Sequence, residues 1–75
     1  MIDKDQIREI ILESVPSLDE KLLSESSLFE SMNIDSLDQM SIILAVQELA
    51  GITIPDKDIE KLNSIAEIYK YLSDN

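Results

Sequence analysis

The sequence contains no cysteine and no histidine. The chain therefore has no thiolate nucleophile, no imidazole base and no soft metal ligand of its own. These absences exclude zinc sites, disulfide bonds and catalytic pairs of the Ser-His or Cys-His kind. If thioester chemistry takes place on this chain, the sulfur has to be supplied from outside.

Basic side chains are few and unevenly placed. The chain has 16 acidic and 6 basic residues, a net charge of −10 at pH 7, and no basic residue between Lys21 and Lys57. The acidic residues in that interval are Glu25, Glu30, Asp35, Asp38, Glu48 and Asp56. Nucleic acids and anionic membranes are not expected partners, because both bind through basic groups. The acidic surface either steers basic partner proteins or only keeps the protein in solution, and charge alone favours the second interpretation.

The length of 75 residues predicts a single domain, residues 1–75, with one small core. Hydrophobic residues make up 44% of the chain, which is typical of folded proteins. The longest apolar run, residues 42–46, is far shorter than the ~20 residues of a membrane-spanning helix, and the first residues lack the pattern of a signal peptide. We expect a monomeric, cytoplasmic protein with no membrane insertion.

Glycine and proline are rare, with one glycine and two prolines, so helix is the expected state over most of the chain. Apolar residues recur at helical spacing in three longer segments and one short segment. The sequence predicts an all-α fold, a small four-helix bundle with a long loop between the first and second helix. The predicted helices are residues 3–15, a helix from Asp35 to a stop at Gly51, residues 56–62, and a last helix capped by Ser64.

The second helix is expected to begin with Asp35 as its cap, in a capping box with Asp38. Its predicted inward face consists of Leu37, Met40, Ile43, Leu44 and Gln47. The loop before it, residues 16–34, is long for a small domain but carries many apolar side chains. It is therefore predicted to pack over the helices, with a helical turn over residues 19–23.

Asp35-Ser36-Leu37 stands at the start of the second helix, near the middle of the chain. Residues 28–34 lead into it, and the extended link Ile52-Thr53-Ile54-Pro55-Asp56 follows the helix. Together these segments resemble the acyl carrier protein family, and the likeness extends over nearly the whole chain. The resemblance implies a bundle that carries 4'-phosphopantetheine, transferred from coenzyme A, on Ser36 and holds its cargo as a thioester. It also implies a carrier protein and not an enzyme.

The position of Ser36 suits this chemistry. A serine at a helix N-terminus is exposed, and a phosphodiester there lies at the positive end of the helix dipole. The lack of cysteine also fits, because the cofactor then supplies the only thiol. The alternative is that Ser36 is an ordinary polar residue in a first helical turn, like most of the serines in the chain. The protein would then be an acidic helical interaction module without a prosthetic group.

The resemblance also implies partners. These are a phosphopantetheinyl transferase and the enzymes that load and process the acyl group through basic docking surfaces. The candidate recognition residues are Asp35, Leu37, Asp38, Met40 and Glu48. Each has a plainer interpretation: Asp35 as a helix cap, Leu37 as core, Met40 as packing against the long loop, and Asp38 and Glu48 as part of a solvated acidic face.

Two features depart from the family pattern. Asn33 stands where family members often have glycine before the motif, and asparagine tolerates the same left-handed turn. The second helix is also poor in acidic residues, with Gln39, Ser41 and Gln47 among its polar positions. We therefore expect a carrier dedicated to one pathway. The motif does not indicate whether the cargo is fatty acyl, polyketide, aminoacyl or D-alanyl.

A calcium-binding loop is the remaining competing interpretation. Asp56, Asp58 and Glu60 alternate, and Glu67 occupies the twelfth position counted from Asp56. An EF-hand loop needs glycine at its sixth position, where this chain has Lys61. We therefore predict no metal site.

Overall fold

A computed structural model of the chain describes residues 2–74. The described part is helical and contains no strand, so the predicted all-α bundle is confirmed. None of its helices is long and apolar enough to cross a membrane. The helices are α1 (Lys4–Ser14), α2 (Ser36–Ala50), α3 (Asp56–Ile59) and α4 (Ile65–Ser73), with two short 3₁₀ turns, Glu20–Leu22 and Glu30–Met32, in the loop between α1 and α2.

The ends of the longer helices follow from local sequence signals. Asp3 caps α1 and forms a capping box with Gln6, in which each residue's side chain accepts the other's backbone N–H. α1 ends one residue before Val15, which Pro16 follows. Gly51 ends α2 in the left-handed region, with φ of 69°, and Ser64 caps α4 by accepting the N–H of Glu67.

The core lies where α1 packs against α2 and α4. Every helix except α3 supplies fully buried isoleucines to it, and the long loop supplies four further buried side chains. Burying a side chain of this size stabilises the fold by about 1.5–3 kcal/mol. Among the most deeply buried residues are Ile7, Ile11, Phe29, Ile42, Ile43, Val46, Ile65 and Ile68.

The predicted inward face of α2 is wrong in most of its members. Leu37 is 79% exposed and Leu44 is 53% exposed, whereas Ile42, Ile43 and Val46 are buried. Only Ile43 belongs to both sets. Apolar residues lie all around α2, so their spacing does not define a single inward stripe. The packing of α1 and the loop decides which of them are covered.

The long loop packs on the helices as predicted. Its side chains Leu23, Phe29, Met32 and Ile34 are buried, whereas Leu22 and Leu28 remain exposed. The predicted turn over residues 19–23 is confirmed, with Asp19 as its cap, and the second turn before α2 was not predicted.

Hydrogen bonds from α1 and α4 tie the loop in place. The Arg8 guanidinium donates to the carbonyl oxygens of Glu20 and Leu23. The Ala66 N–H, in the first turn of α4, donates to the Glu25 carbonyl at 2.9 Å. The Phe29 N–H donates to the Asn63 carbonyl at 2.8 Å. The loop is therefore joined to both ends of the chain.

Helix α3 is shorter than the predicted 56–62 segment and contributes no fully buried side chain. A hydrogen bond of 2.9 Å from the Tyr71 hydroxyl of α4 to Asp58 Oδ2 helps to hold it. This bond raises the pKa of Tyr71, and partial burial and the negative charge of Asp58 act in the same direction.

A pH dependence follows from this shift. The folded phenol keeps its proton at a pH where the unfolded phenol, with a pKa of about 10, has lost it. The stabilisation is therefore present below about pH 10 and is lost as pH rises through the folded pKa. Urea unfolding between about pH 8 and 11 should show a steeper loss for the wild type than for Tyr71→Phe. Parallel curves would contradict the role of this bond.

Candidate functional site

Ser36 is the first residue of α2, and its side chain is exposed. Its hydroxyl forms no hydrogen bond with any of residues 2–74, so it is free to react. The chain leading to it is fixed, because Met32 and Ile34 are buried and the Ile34 N–H donates to the Phe29 carbonyl at 3.0 Å. The fold thus holds a free hydroxyl at a defined surface position.

Asn33 makes the turn that leads to this serine. Its φ of 59° and ψ of 31° lie in the left-handed region, as predicted for the position where glycine is common. Asn33 is exposed between its buried neighbours Met32 and Ile34. The left-handed residue therefore lets the chain reverse while both neighbours remain in the core.

Asp35 caps α2 by accepting the Asp38 N–H at 2.8 Å. The return contact of the predicted capping box, from the Asp38 carboxylate to the Asp35 N–H, is not among the hydrogen bonds of the described chain, so that half of the prediction is wrong. The physical reason is length, because aspartate is one methylene shorter than the glutamate or glutamine of such boxes. Gln6 in α1 has the needed length and completes its box.

Two substitutions separate the capping role of the Asp35 side chain from the effect of its negative charge. Asp35→Ala should lower the free energy of unfolding by about 0.5–2 kcal/mol, because an N–H at the start of α2 loses its acceptor. Asp35→Asn keeps an acceptor and should change stability by less than about 0.5 kcal/mol. Urea unfolding of the three proteins measures both effects. Equal losses in both variants would contradict the capping role.

Gln39 fastens the first turns of α2 to the chain that links α3 to α4. Its Nε2 lies 3.1 Å from the Leu62 carbonyl oxygen and 3.3 Å from both the Ile59 carbonyl oxygen and Asn63 Oδ1. The backbone carbonyl of Asn63 in turn accepts the N–H of Phe29 in the long loop. Sequence reasoning missed this contact, because the residues around Gln39 give no sign of partners more than twenty positions away.

Gln47 has a similar structural role at the other end of α2. Its Oε1 accepts the Ile54 N–H at 2.6 Å and so holds the extended link after the helix. Ser41 donates to the Leu37 carbonyl within α2, at 3.2 Å. The polar residues that make α2 poor in acid are therefore engaged in hydrogen bonds of the fold, and those of Gln39 join segments twenty or more residues apart.

The candidate recognition residues fall into two groups. Asp35 and Asp38 lie at the start of α2, where Asp38 is half-buried. Leu37, Met40 and Glu48 lie on the exposed side of α2, together with Leu44, which was not predicted; we call these four residues the front face. The expectation that Leu37 belongs to the core is wrong, and Met40, at 41% exposure, is largely on the surface. Neighbouring side chains lie three or four residues apart, which aligns them along the helix.

The structure does not support the calcium-loop interpretation. Asp56 and Asp58 lie in α3, whereas Glu67 lies in the first turn of α4. Asp58 accepts from Tyr71, and no group of three or more acidic residues in the described chain could hold a metal ion. The twelve residues do not form one ligating loop.

The chain matches a known protein family and known relatives over most of its length. Residues 5–72 match the family model described as "phosphopantetheine attachment site". The chain is similar to the acyl carrier protein of Wolinella succinogenes, with 31% identity over 71 residues that cover 95% of this chain and 93% of the relative. It is also similar to the acyl carrier protein of Campylobacter curvus, with 34% identity over 68 residues, 91% of this chain and 88% of the relative.

The matched family and both relatives are carriers, proteins whose partners perform the chemistry. The chain belongs to the acyl carrier protein family, with its phosphopantetheine attachment domain. It is accordingly not an enzyme, and its prosthetic group is 4'-phosphopantetheine.

The residues at the start of α2 fit this group. The first N–H groups of a helix have no partner within the helix, and the helix dipole favours a phosphate there. Asp35 and Asp38 bring negative charge close to that position, but Ser36 is exposed, so water screens the repulsion. The free hydroxyl is the atom that a phosphodiester would use.

Proposed function

We propose that Ser36 is the attachment residue and that the protein presents an acyl-type cargo there to partner enzymes. The observation that carries the proposal is the free, exposed hydroxyl of Ser36 at the first residue of α2, inside the segment that matches the family. Once bound, the group supplies a terminal thiol that holds the cargo as a thioester.

Each neighbouring residue has a positional role in this proposal. Asp35 caps the helix and keeps its first turn formed. Gln39 joins that turn to the chain after α3 and so helps to fix the start of the helix. Leu37 and Met40 offer apolar contact next to the serine for the transferase and the acyl-processing enzymes. We also propose that the protein is a monomer and that it acts in the cytoplasm, where coenzyme A is available.

Intact-mass spectrometry tests the attachment. The purified protein is incubated with a phosphopantetheinyl transferase and coenzyme A, and its mass is measured before and after. One added phosphopantetheinyl group, located by peptide mapping to the segment containing Ser36, is the expected result. No mass gain with several transferases of broad specificity, or an adduct located elsewhere, would overturn the proposal. The acidic interaction module would then be the remaining function.

We further propose that the carrier serves one dedicated pathway. Carrier docking is steered by charge, and basic enzyme surfaces need acidic partners. The front face offers Leu37, Met40 and Leu44 but only one carboxylate, that of Glu48. The acidic residues missing from α2 are replaced in part by Gln39 and Gln47, which the fold uses for its own hydrogen bonds. A partner with an apolar docking surface and few basic groups suits this face best.

Housekeeping fatty-acid synthesis enzymes provide the test. The modified protein and the W. succinogenes relative are compared for loading and elongation at equal concentration. We expect slower reaction of this carrier, and a gain for Ser41→Glu, which adds a carboxylate to the same exposed side of α2. Equal rates for the two wild-type carriers would contradict a dedicated role without affecting the assignment of Ser36.

A further inference from the structure

A groove of about 530 Å³ runs between α1 and α2 and shares only Glu48 with the front face. Each helix lines it with residues at helical spacing, and on α2 the lining residues all lie near the C-terminal end of the helix. The residues used below are Glu9, Ile10 and Glu13 of α1 and Ala45, Glu48 and Leu49 of α2. None of them takes part in the ties that hold α3 or the long loop.

The floor of this groove is apolar and partly open. Ile10 and Ala45 are half-buried, and Leu49 is 51% exposed. Leu49 also lines a second, adjoining groove with Ile2 and Leu72, so the apolar surface continues around it. A leucine-sized side chain from another molecule would cover the exposed parts of Leu49 and Ile10 together, and removing this apolar surface from water favours binding.

The rims of the groove are acidic and are not neutralised by the chain itself. Glu9 and Glu13 are exposed one turn apart on α1, and Glu48 is exposed on α2. No basic side chain lines the groove. The two cations of α1 are engaged elsewhere, because Lys4 pairs with Glu25 at 3.3 Å and Arg8 donates to carbonyls of the long loop. Like charges one turn apart destabilise a helix slightly, so a basic partner beside Glu9 and Glu13 would relieve their repulsion and stabilise α1.

We propose that the α1–α2 groove is a second docking surface, for an amphipathic helix of a partner protein with apolar side chains facing the floor and Lys or Arg on both edges. The charge pattern selects this occupant, because three carboxylates repel nucleic acid and anionic lipid. Leu49 lies thirteen residues after Ser36 on α2, which is about 20 Å along the helix. A partner bound there leaves Ser36 accessible, so it holds the carrier while another enzyme uses the serine.

Binding of a synthetic helical peptide tests the groove. The probe has about 15 residues, with leucines on one face and lysines beside them, and its control has serines in place of the leucines at equal charge. We expect the leucine peptide to bind and to shift the amide NMR signals of α1 and the second half of α2. Glu9→Gln/Glu13→Gln, and separately Leu49→Ser, should each weaken binding about tenfold.

The matched control is Asp56→Asn/Glu60→Gln, which removes two exposed carboxylates with the same spacing from another part of the surface. It should change the affinity by less than about twofold. Equal weakening by the two double variants, or equal binding of the serine peptide, would show general attraction to an acidic protein and would overturn the proposal. Circular dichroism checks that every variant is folded.

A second measurement separates this proposal from the assignment of Ser36. Saturating leucine peptide should leave the rate of modification by the transferase unchanged, and Ser36→Ala should bind the peptide as the wild type does. Inhibition of the modification by the peptide would contradict two separate surfaces. If the protein is never modified but the peptide binds as expected, the assignment of Ser36 is wrong and the proposal that the groove is a docking surface is still supported.

Discussion

Replacing Ser36 with alanine is expected to abolish modification by a phosphopantetheinyl transferase completely and to leave the fold intact. The hydroxyl oxygen forms the new bond to phosphorus, and alanine has no atom to take its place. The hydroxyl has no hydrogen bond to residues of the described chain, and the side chain is exposed. The free energy of unfolding should therefore change by less than about 0.5 kcal/mol.

Two other serines provide matched controls for this variant. Ser41 is exposed on the same helix and uses its hydroxyl within α2, and Ser31 is exposed five residues before Ser36. Ser41→Ala and Ser31→Ala should gain one phosphopantetheinyl group at the wild-type rate. Intact mass after a time course measures all four proteins. A mass gain in Ser36→Ala would show that another residue carries the group.

The same chemical change at Gln39 and at Gln47 should have very different consequences. The two N–H donors of Gln39 Nε2 are shared among three nearby oxygen atoms, whereas Gln47 accepts a backbone N–H through Oε1. A glutamate keeps the acceptor and loses the donor. Gln39→Glu should therefore lower the free energy of unfolding by about 2–4 kcal/mol at pH 7, because a carboxylate would face carbonyl oxygens. Gln47→Glu should cost less than about 1 kcal/mol.

The loss in Gln39→Glu should depend on pH. Facing the oxygens of Ile59 and Leu62, the new carboxyl would have a folded pKa above its unfolded value of about 4.3. The folded state then binds more protons than the unfolded state, so stability relative to the wild type falls as pH rises through this interval. Below about pH 4 the protonated group can donate again, and the difference from wild type should shrink.

Urea unfolding of both variants against the wild type measures these effects. Gln39→Leu serves as a third variant, because it removes the donor without adding a charge, and it should be less destabilised than Gln39→Glu at pH 7. About 2–4 kcal/mol is a large part of the stability expected for a domain of this size. Similar losses for Gln39→Glu and Gln47→Glu would mean that the hydrogen bonds of Gln39 do not hold α3.

Much of the fold was predictable because its signals are local. Asp3, Ser64, Pro16 and Gly51 mark helix ends through contacts within a few residues. The same holds for Asn33, whose backbone tolerance places the turn before Ser36. The position and exposure of the candidate serine follow from these signals.

What could not be predicted depends on contacts between distant segments. The inward face of α2 is set by the packing of α1 and the long loop, since its own apolar residues surround the helix. Gln39 contacts residues more than twenty positions away, and a one-dimensional pattern gives no sign of such a partner. The groove between α1 and α2 exists only after Ile10 and Leu49 have been brought side by side.

Helix α3 begins with two exposed residues whose identity is free to change. Its Ile59 packs against the core, but none of its side chains is fully buried, and other contacts that hold it use a backbone carbonyl or one carboxylate. Substitutions at Asp56 and Lys57 would therefore alter the protein surface at little cost in folding. Relatives that handle different cargo should differ more along these residues than along Ile42 to Val46, where every inward substitution disturbs the core.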